Sequence, residues 1–381
     1  PQQRPHQTPQ EIRPAPRSVI EFHTGSDRNG TDLWDVRSHA TSITAGGNFS
    51  ALAGDTATIE GAILAVDGSL SIAAENNVSF AAARNIYGYH RRTYDRNIFR
   101  TKTTSHSIER VIHNGSDLTA GGTLTIESET GNLITAGSRF VSLGDDINLS
   151  ATEGDVLAGV FSDVDIESYT KKRSTLFGLI SSTSNSVIER INTTGTAALA
   201  DLDLTIVAGG DTELVGAQLS AGGNLNLNVG GDLRVLAAIS SRREEFFESK
   251  MGAVLATTRT ERSLRETAVL TSLNADGEIS ISVGGDTYLT LYSQDGEETQ
   301  VAADLYPDEL TALANLILLD EELLNEYFFE ETRALSPAFT AVLSIALTAG
   351  YGSLLTGPLA STATSAGLVS QAGTLTHAGR A

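Results

Sequence analysis

Leu219-Ser220-Ala221-Gly222-Gly223-Asn224-Leu225-Asn226-Leu227-Asn228-Val229-Gly230-Gly231-Asp232-Leu233 holds two glycine turns and an alternating run between them. The run puts apolar side chains at every second position, which marks a strand buried on one face. The turns begin eight residues apart, and a third, Ala208-Gly209-Gly210, lies 13 residues upstream. The same 8/13 beat links Ala45-Gly46-Gly47, Ala53-Gly54-Asp55, Val66-Asp67-Gly68 and Ala74-Glu75-Asn76, and an interval of eight returns at Ala275-Asp276-Gly277 and Val283-Gly284-Gly285. Self-similarity with a period near 20 residues is the mark of a solenoid. One coil of about 21 residues cannot bury its inward face alone, so coils must stack, each strand pairing in parallel with its copy one coil along. The expected fold is all-β: a right-handed parallel β-helix. Its Gly-Gly and Asp-Gly turns are expected to supply positive φ at the corners.

Proline usage agrees with that expectation. Of eight prolines, five lie within residues 1–16 and none between 17 and 306, as suits a ladder in which nearly every N–H donates. Residues 1–35 are read as a proline-rich linker and lead-in, and 36–302 as the solenoid. The chain opens Pro1-Gln2-Gln3, with no apolar leader, and is read as an internal piece of a longer protein.

The beat breaks three times, about 77 residues apart. The breaks, about residues 84–117, 161–198 and 239–272, are rich in Thr, Ser, Arg and aromatics. They hold 17 of the 26 Lys and Arg, including all four lysines, in a chain of net charge −21. Ile108-Glu109-Arg110-Val111 in the first break returns as Ile188-Glu189-Arg190-Ile191 in the second, so the repeating unit is two or so coils plus one break. We expect three protruding antiparallel β-hairpins, stacked side by side, on the face where solenoids carry their binding insertions. The candidate contact surface is Arg91, Arg92, Tyr94, Arg96, Phe99, Lys102, Lys171, Lys172, Arg173, Arg242 and Arg243. Its chemistry suits anionic glycans or lipid head groups; the plainer reading is that these residues only protect exposed strand edges from aggregation.

Catalytic, cofactor and metal sites are not expected. There are no cysteines, which excludes disulfides and thiolate metal sites. Gly209-Gly210-Asp211, Gly230-Gly231-Asp232 and Gly284-Gly285-Asp286 never complete a calcium-binding nonapeptide. His90, His106 and His113 share one break without metal-ligand spacing. A sequence pI near 4.6 argues against nucleic-acid partners. A β-helical polysaccharide-active enzyme is the alternative from another class; it would need carboxylates and arginines facing one another on adjacent coils.

From Ala303 the pattern changes. Pro307-Asp308-Glu309 resembles a helix start, and Leu310, Leu313, Leu316, Ile317, Leu319, Leu323 and Leu324 recur at helical spacing. Residues 303–381 are therefore expected to form an acidic amphipathic helix and an apolar segment, Pro337–Tyr351, read as a buried helix rather than a membrane element.

Leu118-Thr119-Ala120-Gly121-Gly122, Val207-Ala208-Gly209-Gly210-Asp211, Leu219–Leu225 and Val229–Ala238 resemble the repeats of filamentous haemagglutinins. These are large two-partner-secretion exoproteins, contact-dependent growth-inhibition effectors among them. Leu335-Ser336-Pro337-Ala338 onward is similar to the pretoxin segment of such proteins. The resemblance implies a secreted, cell-surface rod that lacks catalysis, is exported by an outer-membrane transporter, and meets a target-cell outer membrane, surface glycan or receptor. It also implies a role in carrying a C-terminal toxin to neighbouring bacteria, or else plain adhesion. The Val-Glu-Asn-Asn boundary motif of the toxin carriers is missing; Glu75-Asn76-Asn77 lies inside a coil.

Overall fold

The structure, a computed structural model, describes residues 17–26, 29–294, 306–337 and 340. Nearly all of them are in strands. Three parallel ladders are visited in rotation as far as Thr287–Gln294. The first contains Ser42–Ala45, Ile63–Val66, Asp117–Ala120, Arg139–Ser142, Ala197–Ala200, Gln218–Ala221 and Ser272–Ala275. The second contains Phe49–Ala53, Leu70–Ala74, Leu124–Ser128, Ile147–Ala151, Leu204–Ala208, Leu225–Val229 and Ile279–Val283. The third runs through Ala57–Glu60, Val78–Ala81, Leu133–Ala136, the start of Val156–Thr175, Thr212–Val215, Leu233–Leu236, Thr287–Gln294 and Leu316–Leu323. One strand from each ladder makes one rung, a topology compatible with the expected β-helix.

The core is a set of aliphatic stacks. Leu124 pairs with Leu70 on one side and Ile147 on the other, and all three are fully buried. Leu204 and Leu225 continue the column. Alternation places each second residue of a strand in this core and the intervening one outside. Phe80 and Phe140 meet edge to face at 5.1 Å, both buried in the core.

The Gly-Gly turns differ from expectation in their reason. Among the described glycines positive φ occurs at Gly61, Gly137, Gly178 and Gly216, none of them in a Gly-Gly turn. Those turns need glycine for close approach instead. The backbone N–H of Asp232 donates to Asp211 Oδ1 (2.9 Å), and a Cβ on the intervening Gly231 would collide with that same oxygen. The arrangement repeats: Asn132 donates to Asn77, Asp155 to Asn132, Asp211 to Asp155 and Asp286 to Asp232, at 2.8–3.0 Å. A column of Asn and Asp side chains thus ties six successive rungs, satisfying backbone donors that the turn would strand. Gly61, Gly137 and Gly216 (φ near +55°) take the sharp corner from the third ladder into the next rung.

At every second passage that corner is replaced by an arm. Each arm's base is closed by a buried hydroxyl. Thr271 Oγ1 accepts the Ala217 N–H (3.1 Å) and lies within hydrogen-bond reach of the Leu214 and Leu236 carbonyls; Ser116 accepts the Ala62 N–H (3.2 Å).

The acidic amphipathic helix is not what forms over the described residues 306–335. Helix is confined to one turn, Asp308–Thr311, in which Leu310 is fully buried against the end of the core beside Tyr306. Leu316–Leu323 is instead the last parallel strand of the third ladder, and Asn325–Leu335 an antiparallel strand. Leu316 to Leu323 meets a ready row of backbone partners on Thr287–Gln294, and this tertiary pairing outweighs a weak helix propensity. Pro337–Tyr351 falls almost wholly outside the described residues.

The lead-in is also more than a linker. Arg17–Ser26 and Asn29–Ser38 pair antiparallel, Arg17 opposite Ser38, as a first arm. Residues 1–16 lie outside the described set.

Candidate contact surface

The arms are hairpins joined into one continuous antiparallel sheet. Its order is Arg17–Ser26, Asn29–Ser38, Ala83–Arg96, Arg100–Asn114, Val156–Thr175, Ile180–Gly195, Ala238–Met251, Leu255–Val269 and Asn325–Leu335. The three expected insertions pair over 83–114, 160–195 and 238–269, each starting one residue and ending three residues before the expected bounds. They do not merely stand side by side: the facing strands of successive arms are hydrogen-bonded into one sheet. Most of its residues on both faces are half-buried and few fully buried, so it is a single layer.

Such a sheet cannot rely on an apolar core, and it uses cross-strand polar pairs. Asp165 lies between Arg110 and Arg190, its register partners; Arg110 Nε reaches Oδ1 at 3.2 Å and Arg190 Nη1 reaches Oδ2 at 3.4 Å. The two arginines are the repeated ones of the Ile-Glu-Arg tetrapeptides. Arg242 and Arg265 continue the row. Trp34 covers its partner Gly88, where any Cβ would enter the indole ring. His106 Nε2 meets Glu167 at 2.9 Å. Asp32 lies against His23 and His90, and these contacts, that with His23 foremost, hold its carboxyl below the ordinary carboxylate range.

Register divides the expected contact residues between two faces, because directly paired residues share a face and neighbours alternate. Arg91, Lys102, Lys171, Arg173 and Arg242 stand on one; Arg92, Tyr94, Arg96, Lys172 and Arg243 stand on the other. Phe99 belongs to neither and sits at an arm tip. Arg242 and Arg243 are engaged by Glu244 and Glu245. No ion pair among the described residues engages Lys102, Lys171, Lys172 or Arg173; Lys171 and Lys172 stand opposite Thr and Ser, Arg173 opposite Lys102 and Ser182, and Lys102 opposite Arg173 and Asp95, whose carboxylate is engaged by Arg100.

Sequence reasoning missed Asp165, the first arm and, Phe99 apart, the apolar tips. Asp165 is the single acid that both repeated arginines share, a signal available only once the tetrapeptides are placed in neighbouring strands. The first arm was marked by Ser18-Val19-Ile20-Glu21-Phe22, a β-rich run that follows the last of the early prolines. Among the described residues no group of three or more His, Asp or Glu is placed to hold a metal ion, and no helix is long and apolar enough to cross a membrane.

A family model described as Hemagglutinin repeat matches residues 168–245. That span is most of one arm, two rungs and the start of the next arm, close to the unit the tetrapeptides define. The chain is also similar to a protein described as Hemolysin from Serratia marcescens, at 25% identity over 251 residues, covering 61% of this chain and 15% of that protein. The chain therefore spans about 15% of the length of that relative. No solved structure matches. The two matches support the filamentous haemagglutinin family.

Proposed function

We propose that the chain is a stretch of a secreted two-partner-secretion exoprotein, a stiff right-handed β-helical rod on the bacterial surface whose arms make contact with another cell. It has no catalysis of its own. The observation that carries this reading is the arm sheet: nine strands long, one layer thick, and displayed rather than used to close a core. The haemagglutinin-repeat match straddles two arms, which ties the display surface to the repeat itself. Contact is multivalent, since equivalent arms recur along the rod and weak sites add by avidity. Export through an outer-membrane transporter and a share in passing a C-terminal toxin to neighbouring bacteria follow from the family resemblance and complete the proposal.

The test compares the chain with a variant in which the arms 83–114, 160–195 and 238–269 are cut back to two-residue turns. Both are incubated with intact bacteria and with outer-membrane vesicles, and bound protein is measured. The chain should bind and the shortened variant should not; equal binding by the two would sink an arm-borne contact.

A further inference from the structure

The arm tips carry a chemistry of their own. Ile98 and Phe99, at the end of one arm, are 82% and 62% exposed; Leu176, Leu179 and Ile180, at the end of the next, are 48%, 55% and 37% exposed. The two tips touch: the Leu176 N–H donates to the Phe99 carbonyl (3.1 Å), and a shallow cleft of about 390 Å³ lies between Phe99, Arg173 and Leu176. Leu176 is the one non-glycine with positive φ (52°) among the described residues, so a costly backbone conformation is retained at an exposed leucine. The third tip adds Leu255 (46% exposed), and Leu335 pairs with it. From there the sequence continues as Pro337–Tyr351, which has no charged residue.

Directly behind the apolar tips comes a basic collar. Residues 91–102 and 169–182 together hold eight Lys and Arg and one acid, Asp95, in a chain of net charge −21. Lys102 stands between Arg173 on one side and Asp95 on the other, and Asp95 is already engaged by Arg100, so the row keeps a surplus of positive charge. Apolar side chains in front and unpaired cations just behind match the order of layers in a bilayer: acyl chains, then anionic head groups. A soluble glycan would use the collar but leaves the exposed Ile98, Phe99, Leu176 and Leu179 without a role.

We propose that the tip edge of the arm sheet docks on an anionic lipid bilayer, with Ile98, Phe99, Leu176 and Leu179 entering the interface and Lys102, Lys171 and Arg173 at head-group level. This deepens the proposed function and rests on the arms being the contact element. The sheet meets the membrane edge-on, so Lys172 on the opposite face can contribute beside Lys102, Lys171 and Arg173 on the first.

The test is flotation of the chain with vesicles of phosphatidylcholine alone and with phosphatidylglycerol-rich vesicles. Binding should be confined to the anionic vesicles and fall with added salt. Ile98→Ser/Phe99→Ser/Leu179→Ser and Lys102→Glu/Lys171→Glu/Arg173→Glu should each weaken it by roughly tenfold or more. A Trp34→Phe/Phe99→Trp variant should shift its emission to the blue on binding and be quenched by brominated lipid. Unchanged far-UV spectra and melting show that the variants are folded. Absence of vesicle binding, binding indifferent to both triple variants, or retention on a sulfated-glycan resin alone would overturn the proposal. Cell binding that persists in the tip variants yet disappears when the arms are removed would overturn bilayer docking while leaving arm-borne contact intact.

Discussion

Asp211 accepts the backbone N–H of Asp232, one rung further along the stack, at 2.9 Å, while its other oxygen meets Arg234 at 3.0 Å. The backbone N–H, followed by Arg234, holds the Asp211 carboxyl below its ordinary value, and the same contact raises that of Arg234. A depressed carboxylate contributes stability that is fully present above its unfolded value, near 4, and is lost as pH falls through the lower folded value. Melting temperature should therefore drop on acidification below about pH 4. Asp211→Asn keeps the acceptor oxygen, as Asn132 does naturally. It should lower stability at neutral pH, where the charged carboxylate contributes, and flatten part of that acid limb; an acid limb unaltered by the substitution would show that Asp211 does not contribute to it.

Gly231→Ala places a methyl group against Asp211 Oδ1 and the Gly210 backbone. Overpacking of this kind costs about 1–3 kcal/mol. Gly54→Ala, where nothing lies within 4 Å, is the control. Urea denaturation should separate the two; equal midpoints would mean that the turns do not press on one another.

Thr271→Val removes the acceptor for the Ala217 N–H from a site 1% exposed. A stranded buried donor costs about 1–3 kcal/mol. Hydrogen exchange should quicken at Ala217, at the base of the last full arm, more than at rungs farther off. Uniform quickening throughout the stack would contradict a local role for the hydroxyl.

Asp165→Ala leaves Arg110 and Arg190 facing each other across a gap. These groups are partly solvated, so the loss should be about 1 kcal/mol or less, and smaller in high salt. Limited proteolysis should cut the arms faster while the rungs stay intact. Cleavage in the rungs would show that the two layers are not independent.

The rungs were legible because turn spacing and alternation both report on stacking, and both recur several times. The role of the Gly-Gly pairs was not, since a glycine required by a neighbouring Asp side chain one rung away reads in sequence like one required by φ. Leu310 to Leu324 misled for a related reason. Their spacing fits a helix, but Leu310 plugs the end of the core and Leu316–Leu323 completes a ladder, and only the open edge of Thr287–Gln294 decides between the two. The contact residues were legible as a composition: Arg91, Lys102 and Arg173 stand out wherever they lie. That Arg91 and Arg92 point to opposite faces follows from alternation, but that Lys171 shares the face of Arg91 is fixed by register, which rests on pairings some 60 residues away in sequence, as between His106 and Tyr169. Of the tip residues only Phe99 is singled out by sequence, because isolated apolar residues in a polar break signal little until two turns are seen to touch.

Contact through the arms is tested most directly by site-specific photo-crosslinking to intact target cells. A photoreactive amino acid is placed at Phe99 on a tip, at Tyr169 on an arm face, or at Glu127 on the outside of a rung. Adducts with cell-surface material should form from Phe99 and be absent from Glu127, with Tyr169 weaker than the tip. Adducts from Glu127 with none from Phe99 or Tyr169 would place the contact on the rod and contradict an arm-borne surface.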